Sequence, residues 1–175
     1  MKDLIGLKTS IGEKIESALN AQIKVEAHSS SIYLAMASWC DYQGYDFSSD
    51  FFLEQADEER AHMMKIFHYV KNRGGKAVSP EVVNVPQDFE SFRSVFEQAL
   101  EQEMHVTKQF NNLADLCFKE KDFVTFQFLQ WFLEEQVEEE YTMRRAIELF
   151  DVIGEEGTGA WDIDKHIPKI TFDRG

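Results

Sequence analysis

Thiolate ligands are almost missing from this chain. Its 175 residues include two cysteines, Cys40 and Cys117, and these form no Cys-x-x-Cys pair. A thiolate zinc site and a rubredoxin-type iron centre are therefore excluded. Two free thiols at apolar positions suit a reducing compartment. Of the three prolines, Pro80 and Pro86 fall in one stretch without helical period, and Pro168 lies near the end. Basic residues number 18 against 32 acidic ones, a net charge of −14. That balance argues against nucleic acid or an anionic membrane surface as partner and suits a protein that handles cations. No run approaches the ~20 apolar residues of a membrane span. Residues 1–8 hold too short an apolar stretch for a signal-peptide core. The expectation is a cytoplasmic protein without membrane or nucleic-acid partners.

What the chain has in abundance is helical periodicity, in four long segments. Phe52, Ala56, Glu59, Met63, Ile66 and Val70 recur at steps of three and four, apolar except at Glu59. His62 follows three residues later on the same face. A second row is Ile15, Leu19, Gln22, Glu26, Ser29, Tyr33, Met36, Cys40, and a third is Phe89, Phe92, Phe96, Ala99, Glu103, Val106, Phe110, Leu113, Cys117. The fourth row reads Phe126, Leu129, Leu133, Gln136, Glu140, Met143, Ile147, Phe150, with Glu139 on the same inward side. Each segment carries a carboxylate at its middle. An unpaired carboxylate in a core row costs several kcal/mol or must protonate, and no basic residue stands in any row to pair with one. Something else must compensate them.

The segments order themselves into an all-α fold, a four-helix bundle with a short fifth helix, in one domain spanning 1–175. The first helix is predicted over about 10–42, opened by a capping box of Ser10 and Glu13 and closed at Gly44. The second covers about 48–74, capped by the 47–50 segment and stopped at Gly74-Gly75. Thirteen residues, 76–88, follow without helical period. Near-extended, they reach ~40 Å, close to the ~42 Å of a helix of about 28 residues. This connection can cross the bundle and bring the third helix, about 88–118, in parallel to the second. The fourth covers about 122–153 and the short fifth about 160–168.

Packed by their apolar rows, such helices bring Glu26, Glu59, His62, Glu103 and Glu139 together. Carboxylates with one imidazole and no thiolate suit iron or manganese. Four glutamates balance the charge of two divalent ions. The known dinuclear pattern in bundles is one glutamate from each of two helices and Glu-x-x-His from the other two. Glu59-Arg60-Ala61-His62 supplies one; Gln136-Val137-Glu138-Glu139 stands in the second place, without its histidine. The acidic run 134–140 suggests a further cation site beside the first. Glu58, Glu135, Glu138 and Glu140 otherwise belong to a solvated face, and Tyr33 alone would be a core tyrosine.

From about Ile15 to Lys169 the chain resembles the non-haem bacterial ferritins. The resemblance is densest at 26–33, 56–63, 102–103 and 126–140. It implies that Glu26, Glu59 and His62 hold a first iron and that Glu59, Glu103 and Glu139 hold a second, with Gln136 close by. It implies a third iron site at Glu58, Glu135, Glu138 and Glu139, Tyr33 beside the centre and Trp131 near it. Haem bacterioferritin fits less well, because Arg60 stands where the haem-ligating methionine would be. The implied function is oxidation of Fe(II) by dioxygen or hydrogen peroxide and storage of ferric oxyhydroxide within a homo-oligomer of twenty-four subunits. In that family the fifth helix lines the four-fold axis. A soluble di-iron oxidase or peroxide reductase that makes no mineral, and a metal-free structural bundle, are the alternatives.

Overall fold

A computed structural model describes residues 9–174; residues 1–8, considered above for a leader, lie outside it. The helices are α1 (Glu13–Gln43), α2 (Asp46–Asn72), α3 (Phe92–Lys119), α4 (Phe123–Ile153) and α5 (Gly159–His166), followed by a 3₁₀ turn, Ile167–Lys169. No strand occurs among the described residues, and no helix of theirs is long and apolar enough to cross a membrane.

The apolar rows pack as two separate cores. One joins Ile15, Leu19 and Ile23 of α1 to Ile66 and Val70 of α2, Phe110 and Leu113 of α3, and Leu129 and Phe132 of α4. The other joins Tyr33, Met36 and Cys40 to Phe52, Phe92, Phe96, Met143 and Phe150, with Ile163 and Ile167 closing that end. The early half of α1 therefore meets the late halves of α2 and α3, so α2 and α3 run parallel. The connection over 73–91 makes this possible, as the sequence predicts. Asn20 holds its start, donating to the Lys76 carbonyl at 3.0 Å and accepting from Val78 N at 2.8 Å.

Three helix starts depart from the sequence reading. Helix α1 begins after Gly12 with no side-chain cap. Ser10, expected to cap it, instead accepts from Arg73 at 3.4 Å, so the segment before α1 is held by the end of α2. Helix α2 begins two residues early, and Ser48 and Ser49 are buried inside it. Its cap comes from elsewhere in the chain: Asp164 of α5 accepts from Ser48 N at 2.8 Å and Phe47 N at 3.3 Å. The carboxylate satisfies two orphan donors and meets the positive end of the helix dipole. Helix α3 begins later, at Phe92, with Ser91 and Ser94 in a reciprocal capping box; Phe89 is buried in the connection.

Helix α4 lies rotated from the predicted row. Phe132, Glu139 and Ala146 are buried, while Leu133, Glu140 and Ile147 are only half-buried. Glu140 meets Thr107 Oγ1 at 2.7 Å and forms an ion pair with Arg144. The choice between steps of three and four along an apolar-rich helix is settled by what it packs against. Beyond α4, Gly154 has a left-handed φ of 74°. A Cβ on Gly159 would stand 1.9 Å from its carbonyl oxygen, so the corner leading into α5 needs glycine. The fifth helix stops at His166, and Pro168 lies in the 3₁₀ turn.

Asp164→Ala should leave two amides at the start of α2 without partners and cost about 1–2 kcal/mol. For a chain of this size each kcal/mol lowers Tm by about 2–4 °C. Thermal unfolding of the metal-free protein checks this, and Asp164→Asn, which keeps an acceptor, should fall between.

Candidate metal centre

Between the two apolar cores lies a polar layer. Gln22 and Glu26 come from α1, Glu59 and His62 from α2, Glu103 from α3, and Gln136 and Glu139 from α4, all buried. Each stands near the middle of its helix, so packing the helices along their apolar rows assembles the layer.

The α1–α2 half is a preformed donor set. Ligand atoms of Glu26, Glu59 and His62 lie within 4.8 Å of one another. His62 Nδ1 is 3.7 Å from Glu26 Oε2 and 3.7 Å from Glu59 Oε1, too far for hydrogen bonds. Glu26 Oε2, Glu59 Oε2 and His62 Nδ1 are fully buried and take no hydrogen bond from the described residues. The other oxygen of Glu26 accepts from Gln22 Nε2 at 2.6 Å, which fixes the carboxylate's orientation. The His62 ring stands edge-on to Trp131 and Phe132, with centroids at 5.3 and 5.8 Å. Lys65 Nζ caps the Trp131 ring at 3.1 Å.

The α3–α4 half is arranged differently. Glu103 accepts from the Tyr33 hydroxyl on one oxygen and from Gln136 Nε2, at 2.9 Å, on the other. Gln136 also reaches Thr107 Oγ1 at 3.3 Å, which links the layer to Glu140. Both Glu103 oxygens are thus occupied by protein donors, while Glu26 Oε2, Glu59 Oε2 and His62 Nδ1 have no partner among the described residues.

Burial and mutual repulsion set the electrostatics. Burial raises the pKa of Glu59, and the charges of Glu26 and Glu103 raise it further. Glu139 is raised by burial and then by Glu103 and Glu58. Burial pushes Glu103 up to about 7 although the hydrogen bonds from Tyr33 and Gln136 oppose it. Burial resists charging of His62, but contact with Glu26 and the charges of Glu139 and Glu58 outweigh it and raise its pKa. Tyr33 is raised well above 10, by burial first and Glu103 next. In the metal-free molecule protons are the compensation for this layer.

The acidic run beside the layer is placed by α2 and α4. Glu58 is raised by burial and, against an opposing effect of His62, by the charges of Glu135 and Glu138, so the three form one electrostatic group. Gln55 Nε2 donates to Glu58 at 3.1 Å. Glu135 is buried rather than solvated, and both it and Glu138 are held by Arg174. Gln22 is missing from the sequence-based site, though its place one turn before Glu26 on the same row is the signal that marks it. Thr107, four residues after Glu103, and Gln55, three before Glu58, have comparable spacing but stand outside the apolar rows. Arg174 lies in a tail without periodicity, and only the fold brings it to α4.

A four-helix bundle with one long crossover and a buried carboxylate–histidine layer defines the architecture of the ferritin-like proteins. Residues 16–153 match the family model described as the ferritin-like domain. The chain is 37% identical over 163 residues to the bacterial non-heme ferritins of Staphylococcus saprophyticus and Staphylococcus aureus, covering 93% of itself and 98% of each. It superposes on an open-pore ferritin from the hyperthermophilic archaeon Archaeoglobus fulgidus with TM-score 0.88 at 38% identity, covering 93% of this chain and all of that one. The chain belongs to the ferritin family.

The raised carboxyl groups make the metal-free protein sensitive to pH in a definite direction. A carboxyl with a raised folded pKa stabilises the fold fully below about 4.5, and that contribution is lost as pH rises towards the folded value, about 7 for Glu103. Metal-free protein should therefore lose stability between about pH 5 and 7.5. Glu103→Gln should remove part of the loss, since an amide can accept from Gln136 and donate to Tyr33 without charge. Its gain at pH 7.5 is expected on the order of 1–3 kcal/mol, read from Tm against pH in parent and variant.

Proposed function

We propose that this chain oxidises ferrous iron at a dinuclear centre in the polar layer and stores the ferric product as oxyhydroxide mineral within a homo-oligomeric cage. The observation that carries this reading is the trio of buried, unpartnered ligand atoms on Glu26, Glu59 and His62. Such atoms in a core are costly unless a cation fills the space between them. Carboxylate oxygens with one imidazole nitrogen suit first-row divalent ions. Similarity to bacterial non-heme ferritins over nearly the whole chain supports iron as that ion and a cage as the assembly.

In this reading Glu26, Glu59 and His62 hold one ferrous ion. Glu59, Glu103 and Glu139 hold the other, with Glu59 shared and Gln136 beside it. Two ferrous ions held side by side would each give up one electron, and those two electrons with two protons reduce dioxygen to hydrogen peroxide, or hydrogen peroxide to two waters. The protein's own groups prepare this. Gln22 fixes Glu26, while Tyr33 and Gln136 hold Glu103 until an ion competes for its oxygens. With Glu103 near half-protonated around pH 7, loading the second position expels protons. Glu58, Glu135, Glu138 and Glu139 form a third cation site next to the pair.

Anaerobic titration should show two ferrous ions bound tightly per chain, and light scattering should show a closed shell of many subunits. A protein that oxidises iron rapidly but remains a small oligomer and forms no mineral is a soluble oxidase, and the storage half of the proposal fails. Glu59→Ala and His62→Ala should slow the first oxidation phase by at least tenfold, roughly the scale at which even outer partners of metal sites act, with the fold retained by circular dichroism. Unaltered stopped-flow kinetics in either variant would place the centre elsewhere.

The third site should be separable from the first two. Glu58→Ala and Glu138→Ala leave all ligands of the pair in place, so the first turnover at two irons per chain should stay within about twofold of the parent. Iron-to-oxygen stoichiometry or the rate at high loading should change instead. Collapse of the first phase in both variants would assign these residues to the primary pair.

A further inference from the structure

After the 3₁₀ turn the chain does not leave the bundle. It runs back along α4, where the Phe172 ring packs on the Tyr141 ring with centroids 5.2 Å apart. Arg174 then reaches two carboxylates one turn apart: Nη1 donates to Glu135 Oε1 at 2.7 Å and Nη2 to Glu138 Oε2 at 2.5 Å. A planar guanidinium suits such a two-carboxylate grip. Glu135 is 7% exposed, so this is no chance pairing of two solvated side chains. The arginine side chain itself stays more than half exposed, which keeps the pairing open to solvent and weak enough to be exchanged.

Glu135 and Glu138 are half of the four carboxylates assigned above to the third cation site. The guanidinium of Arg174 already pairs with both and offsets one of their two charges. We infer that the C-terminal tail is a built-in competitor for this site: Arg174 occupies it until a cation displaces the tail. The inference rests on the reading of Glu58, Glu135, Glu138 and Glu139 as a cation site and adds its regulation. A cation and the guanidinium cannot both use the same carboxylate oxygens, so the cation binds only the fraction of molecules whose tail is open. Its apparent affinity is lowered by that fraction. Glu26 Oε2, Glu59 Oε2 and His62 Nδ1 have no such competitor among the described residues, so the first position of the pair fills before the third.

The test is anaerobic Fe(II) binding to the assembled protein by equilibrium dialysis, in the parent and three variants. Arg174→Ala should tighten the third ion by about tenfold, within the usual range of coupling between exclusive occupants, and leave the two tight ions unchanged. Phe172→Ala alters no charge but removes the ring that seats the tail, and should act in the same direction. Arg145→Ala removes one positive charge from the exposed face of α4, where it pairs with Glu148, and should alter nothing. Equal third-ion affinity in Arg174→Ala and Arg145→Ala overturns the inference, as does a gain in Arg174→Ala that persists when Glu138→Gln is added. A parent that binds no tight pair overturns the dinuclear reading instead, and the Arg174 and Arg145 variants still decide the role of the tail.

Discussion

The whole structure depends on one electrostatic constraint: ionisable groups from four helices are buried in a single layer with no lysine or arginine among them. Repulsion and desolvation in that layer oppose folding, and two aromatic-rich cores, one on each side, outweigh them. Phe52, Phe96 and Tyr33 pack closely at one end, and Phe110 stacks on Phe132 at the other. The layer is thus held shut by apolar packing rather than by its own interactions. Such an arrangement keeps the donor set in place without metal, at the expense of raised carboxyl pKa values.

The two halves of the layer are unequal in a way that bears on loading. Glu26, Glu59 and His62 offer atoms that nothing else uses, whereas Glu103 is engaged on both oxygens. The first position can fill with little rearrangement; the second requires Tyr33 and Gln136 to yield Glu103. Gln136, in the glutamate's place of the second Glu-x-x-His, supplies the amide that makes this engagement possible, and Glu139 stands where the histidine would be. Asymmetry in sequence becomes asymmetry in readiness.

Contacts between distant parts of the chain hold the frame at its ends. Asp164 caps α2 from α5, and Arg73 at the end of α2 bonds Tyr69 at 2.6 Å and pairs with Asp122 at the start of α4 at 3.4 Å. Asp122 in turn caps α4 through Thr125 N at 3.0 Å. Helices α2 and α4 are therefore fixed at their ends by polar contacts outside the layer. That limits sliding along the helix axis, which would pull the mid-helix ligands out of register.

The sequence by itself determined the four long helices, the crossover and the convergence of Glu26, Glu59, His62, Glu103 and Glu139. Helical period and length are local properties, and an unpaired carboxylate in an apolar row is conspicuous without any structure. Gln22 was legible by the same spacing. Tertiary structure alone decided which side of α4 faces inward, since Leu133 and Phe132 are equally apolar and only the fit to α3 selects between them. It also decided the start of α2, where the local serines are buried and a carboxylate 116 residues away supplies the cap. The engagement of Glu103 by Tyr33 and Gln136, and the seat of Arg174 on Glu135 and Glu138, belong to the same class. They depend on side chains from different helices, or from the tail, meeting at hydrogen-bond distance. Periodicity along one segment specifies a face but not the partner that meets it.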